Sequence, residues 1–191
     1  MRISDDRYNR DIRRHTLAMR LIRHQARTDT IQRWTGLSAF RIRALVHSYG
    51  EETGPMTVQR HRGAAPRKLS VFYKSADHEI QSLALAICYQ VEGLIPKDPV
   101  VDAARTFPGI EAGERLCNAF DAFTGMFPRV HLTLEHAILL AIALAAANEL
   151  TLGECSHCSG LVIANCQDVR SRLCIYCRLD TSAAVEYGSK S

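Results

Sequence analysis

The chain has 191 residues, which suits one domain with a small appendage. Its 47% apolar and 23% charged residues exclude a disordered or collagen-like polymer. The formal charge of +4 hides an asymmetry: residues 1–68 hold 15 Lys/Arg against 6 Asp/Glu, net +9, and residues 69–191 hold 9 against 14, net −5. Charge divided in this way points the N-terminal part toward a polyanion.

In chain order, the first segment, Met1 to Arg7, lacks the apolar run of a secretory signal. Residues 10–27 predict a helix with Ile12, Ala18, Met19, Ile22 and Ala26 on one face and Arg13, Arg20, Arg23 and Arg27 on another. Thr28-Asp29-Thr30 offers a cap for a short helix through Thr35, and Gly36 breaks it. Ser38 is a good N-cap for a further helix to about Ser48. Residues 50–68, punctuated by Gly50, Gly54, Pro55, Gly63 and Pro66, read as a basic loop carrying Arg60, His61, Arg62, Arg67 and Lys68.

Beyond the loop, Ser75 to Val91 is helical in pattern, with Ile80, Leu83, Ala84 and Ile87 expected inward. Asp98-Pro99 starts a predicted helix that stops near Pro108. Another is expected over 111–127, ended by Pro128. Thr133 to Leu150 is apolar on nearly every side and predicts a helix buried all round. Its longest apolar run, Ala137 to Ala147, falls well short of the roughly 20 residues a membrane span needs, so the expected location is the cytoplasm. Seven cysteines in a reducing compartment read as thiols or metal ligands.

Those cysteines supply the strongest signal. Cys155-Ser156-His157-Cys158 is followed, after fifteen residues, by Cys174-Ile175-Tyr176-Cys177. Each Cys-x2-Cys turn brings two thiolates to one ion, and two such turns complete a tetrahedral zinc site. Leu161, Val162 and Ile163 are expected as a strand between them. Four protein thiolates leave no open position, so the single Zn2+ expected per chain is structural. Its binding energy, about 10–16 kcal/mol in zinc-finger peptides, becomes folding energy for a module over 151–191. Alternatives stand beside this reading: two redox dithiol pairs, or His157 or Cys166 in place of one ligand. Cys88 and Cys117 sit in apolar helical settings and read as core residues, Cys117 with an interface as its alternative.

The basic half resembles a helix-turn-helix over 28–49: Gly36 supplies the turn, Leu37 anchors it, and Ser38 starts the second helix. On that helix Ile42, Leu45, Val46 and Tyr49 are expected inward, and Arg41, Arg43, Ala44, His47 and Ser48 outward toward a major groove. A plain solvated basic face is the rival. Candidate DNA contacts are Arg20, Arg23, Arg27, Arg41, Arg43, Arg60, Arg62, Arg67 and Lys68. Trp34 reads as a core anchor before a base-stacking residue, because single-strand binders interleave several aromatics with their basic residues.

Arg10-Asp11-Ile12 with Leu17-Ala18-Met19, then Leu37-Ser38, a helical middle and a terminal cysteine quartet together resemble the FlhC family of flagellar transcriptional activator subunits. The resemblance spans nearly the whole chain in length and order. It implies zinc on Cys155, Cys158, Cys174 and Cys177, and an FlhD-like partner in a hetero-hexamer. It also implies promoter double-stranded DNA and RNA polymerase as partners. Enterobacterial members of that family continue into a longer basic tail. The fourteen residues after Cys177 depart from that pattern, because Arg178 and Lys190 cancel Asp180 and Glu186.

The expected fold class is therefore mainly α. A helical domain over 1–150 carries the helix-turn-helix-like segment, and a four-cysteine zinc-ribbon-like module covers 151–191. No nucleophile–base pattern is present, so neither catalysis nor a small-molecule substrate is expected, and no membrane. The rival functions are a zinc-stabilised protein-interaction adaptor that never touches DNA, and a redox-regulated enzyme using the thiols.

Overall fold

The structure, a computed structural model, describes residues 2–53, 64–95, 107–166 and 172–180. It is mainly helical. In chain order come α1 (Arg2–Arg23), α2 (Thr28–Thr35), α3 (Ala39–Thr53), a 3-10 turn (Leu69–Tyr73), α4 (Ala76–Val91), α5 (Ile110–Met126) and α6 (Leu134–Ala146). An antiparallel hairpin of β1 (Leu150–Glu154) and β2 (Leu161–Asn165) follows, paired from Leu150↔Asn165 to Glu154↔Leu161. Residues 175–180 form a last helical turn.

α1 buries Leu17, Ala18, Leu21 and Ile22, while Ile12, expected on that face, is exposed. The helix stops four residues short of the expected Arg27. Gln25 takes a left-handed conformation (φ 60°). Its N–H donates to the Ile22 carbonyl and that of Ala26 to the Leu21 carbonyl. This is a Schellman stop with glutamine where glycine is usual, so no glycine marked the end in the sequence. At the end of α2, Gly36 does take that role: its φ is 70°, and its N–H donates to the Gln32 carbonyl. α3 begins after Ser38, whose hydroxyl accepts from the Arg41 N–H at 3.4 Å, and it runs through Gly50 to Thr53.

α2 has no side-chain cap of its own. Its N-terminus is held by Glu135 of α6, a buried carboxylate that accepts from the Arg27 backbone N–H at 2.9 Å and the Thr30 hydroxyl at 2.8 Å. α1 and α5 approach closely at Gly113, where a Cβ would lie 2.7 Å from Leu17 Cδ2 and 3.1 Å from Trp34 Cε3. Trp34 is a core residue, edge-on to Phe107 at 5.8 Å between ring centroids.

The inward face of α4 differs from the expectation. Gln81, Ser82, Leu85, Ala86 and Tyr89 are buried, whereas Ile80 and Ile87 are exposed and Leu83 and Ala84 half-buried. Specific hydrogen bonds offset the burial of Gln81 and Tyr89. The Gln81 amide donates to the Arg129 carbonyl and accepts from the His131 N–H, both at 2.9 Å. The Tyr89 hydroxyl donates to the Ala137 carbonyl of α6 at 2.7 Å. The expected stripe instead faces the hairpin.

α6 is the most buried helix described here, though Ile142 is exposed. Thr133 and His136 form a capping box at its start. It ends at Ala147, which is left-handed, so Leu150 belongs to β1 and not to the helix. The main core continues into the hairpin through Leu150, Leu152 and Ile163, while Cys155, Cys174, Cys177 and Leu173 form a second small cluster. The expected helix over 98–108 falls mostly on 96–106, outside the described residues, as do 54–63 of the basic loop. Among the described residues, no helix is long and apolar enough to cross a membrane.

Candidate metal centre and basic surface

The hairpin delivers the first cysteine pair. β1 ends at Glu154, and the chain reverses between Cys155 and Gly160: the Cys155 N–H donates to the Gly160 carbonyl at 2.7 Å, and the Ser159 N–H to the Cys155 carbonyl at 3.0 Å. The second pair is tied to the first by the Ser156 N–H, which donates to the Arg172 carbonyl at 3.0 Å. All four Sγ atoms, of Cys155, Cys158, Cys174 and Cys177, lie within 4.8 Å of one another. Cys158 and Cys174 stand 3.7 Å apart. Tetrahedral bonds of about 2.3 Å to a common ion require sulfur separations of about 3.8 Å, so the donor set fits a metal ion such as zinc.

Backbone N–H groups support the sulfurs. The Cys174 N–H donates to Cys155 Sγ at 3.3 Å, and the Cys177 N–H to Cys174 Sγ at 3.5 Å. Hydrogen bonds from the Cys174 backbone, then from those of Cys158 and His157, pull the Cys155 thiol down to about 6. They favour the thiolate a metal requires.

Neither alternative ligand joins the cluster. His157 is exposed in the turn. Cys166 lies at the opposite end of the hairpin, its N–H donating to the Glu149 carbonyl and its thiol to the Ala147 carbonyl. Cys166 is near in sequence but distant in space because an extended strand carries the chain about 3.3 Å per residue away from the site. Cys117 is buried in α5, and burial pushes its thiol up to about 12.

Arg178 reaches across to Glu79 of α4, pinning the cysteine cluster to the helical body. Between them lies an apolar groove of about 330 Å³, with Ile80, Leu83, Ala84 and Ile87 on one side and Leu161, Val162, Ile163 and Tyr176 on the other. The sequence pattern marked the α4 residues as apolar and periodic but could not say which neighbour they would meet.

The basic candidates divide. On α3, Arg41, Arg43, Ala44, His47 and Ser48 are exposed, Ile42 is buried, and Leu45, Val46 and Tyr49 are half-buried. Arg41 Nη2 lies 2.6 Å from His15 Nε2 of α1. Arg23, Arg67 and Lys68 are exposed.

The α1 stripe is different, because α5 presents Glu114, Asn118 and Asp121 to it at successive helical turns. Arg13 pairs with Glu114. Arg20 donates to Asn118 at 2.8 Å and to Asp121 at 2.6 Å. Arg27 lies half-buried, its guanidinium 4.0 Å from Glu135. Arg13, Arg20 and Arg27 therefore serve helix packing, contrary to the expected open stripe. Distant carboxylates decide this, and local sequence does not contain them. Arg60 and Arg62 fall outside the described residues.

No protein-family model matches the chain, and a search of curated proteins returns no match.

Proposed function

We propose that the chain is a DNA-binding transcriptional activator subunit of the FlhC type, acting with an FlhD-like partner at promoters. The observation that carries the reading is the outward face of α3. Two arginines and a histidine, with no acidic partner among the described residues apart from Glu51 beside His47, follow a short helix and a left-handed glycine turn. That order suits a recognition helix presented to a major groove. Arg23, Arg33, Arg67 and Lys68 add exposed charge for phosphate contact. Arg20 and Arg27 drop out of the set of phosphate ligands. In this reading zinc on the four cysteines is structural and holds the C-terminal module against α4; RNA polymerase is the downstream partner.

The test is co-purification with an FlhD-like subunit, followed by promoter binding across a salt series. Contact with Z phosphates predicts a slope of about −0.9Z in log affinity against log salt. A flat curve, or no promoter retention at low salt, refutes DNA binding.

The adaptor reading keeps one observation in its favour. The groove beside α4 offers apolar residues at i, i+3, i+4 and i+7, the spacing that receives an amphipathic partner helix.

A further inference from the structure

The exposed side of α3 carries an ion pair, His47 with Glu51, and an exposed aromatic in its first turn. Positions 40, 43, 44 and 47 recur at i, i+3, i+4 and i+7 and so share a face. They carry Phe40, Arg43, Ala44 and His47, all exposed. Phe40 is 78% exposed, while Ile42 two residues on is fully buried and packs in the core. Single exposed apolar residues are ordinary; position makes this one informative. It occupies the first turn of α3, one helical turn before Ala44, whose small side chain lets a surface approach the helix axis. Beside it stands Arg41, held by His15 of α1.

Residues at the N-terminal end of a recognition helix meet base edges. The major groove offers one apolar group, the thymine C5-methyl, which apolar side chains including phenylalanine contact. We propose that Phe40 reads a thymine, its ring packed on the C5-methyl, while Arg41 and Arg43 bond phosphate or guanine alongside. This rests on the DNA-binding reading above.

The experiment uses the full chain loaded with zinc, alone and with its FlhD-like subunit. Sites are selected from a randomised duplex pool, and affinities are then measured for the wild type and Phe40→Ala. Because Phe40 is exposed, the variant should unfold at the wild-type temperature. The selected site should contain a fixed thymine. Changing it to uracil, which removes only the methyl, should weaken the wild type about fourfold. Phe40→Ala should bind thymine and uracil sites equally, with an unchanged salt slope. A Phe40→Ala variant that keeps the wild-type thymine-to-uracil ratio, or a selected site without thymine, overturns the role of Phe40 and leaves DNA binding standing. Failure of the wild type to bind any duplex, with or without its partner, overturns both.

Discussion

Replacing Glu135 with alanine should loosen the whole α2–α3 unit from the bundle. The residue is only 5% exposed. It accepts the Arg27 backbone N–H at 2.9 Å and the Thr30 hydroxyl at 2.8 and 3.0 Å, and it faces the Arg27 guanidinium at 4.0 Å. Alanine removes the carboxylate acceptor from the N-terminus of α2 and leaves a cavity against α6. Removing one partner of a buried charged contact costs about 3–5 kcal/mol. At this chain length that lowers the melting temperature by about 6–20 °C. Glu135→Gln keeps an acceptor oxygen and should lose less. A double-mutant cycle with Thr30→Val separates the hydroxyl contact from the rest, with a coupling of about 1–3 kcal/mol expected. Thermal unfolding followed by circular dichroism reads the four proteins of the cycle and Glu135→Gln. A Glu135→Ala melting temperature within 2 °C of wild type would refute the claim that this carboxylate caps α2 (by the same scale, roughly 1 kcal/mol or less).

Replacing Cys155 or Cys174 with serine should release bound zinc and make the segment after Leu150 sensitive to protease. Metal analysis and limited proteolysis check this, and retained zinc with unchanged resistance in both variants would defeat the site. Neutralising Arg60, Arg62, Arg67 and Lys68 together should weaken binding on every DNA sequence and flatten the salt slope by about one unit per lost phosphate contact; loss at one promoter alone would make the segment a base reader. Gly113→Ala gains about 1 kcal/mol of helix propensity. It also drives a methyl into Leu17 and Trp34, at a cost of about 1–3 kcal/mol, so denaturant unfolding should show net destabilisation. A more stable variant would mean that the α1–α5 seam yields. At pH 8 iodoacetamide should label exposed Cys166 in the folded protein but not Cys117, whose thiol is buried and raised to about 12. Mass spectrometry before and after denaturant distinguishes the two, and native labelling of Cys117 would contradict its burial.

Local chemistry determined much of this protein. Cysteine spacing marked the four clustered thiols that could hold a metal ion because a Cys-x2-Cys turn is a local geometry. The left-handed role of Gly36, the Thr133 start of α6 and the outward set on α3 were legible for the same reason: each depends on residues within one or two turns. Tertiary structure decided the rest. Gln25 stopping α1 carries no local signature, since its stability comes from carbonyls already fixed by the helix. The inward face of α4 was misread because Gln81 and Tyr89 gain partners on α6 and the segment before it, so polar residues are buried while isoleucines face the hairpin. Arg13 and Arg20 of α1 became packing residues because α5 lies across them with its carboxylates. An amphipathic pattern records that a face is apolar or charged; only the packed neighbour determines whether that face meets core, solvent or another molecule.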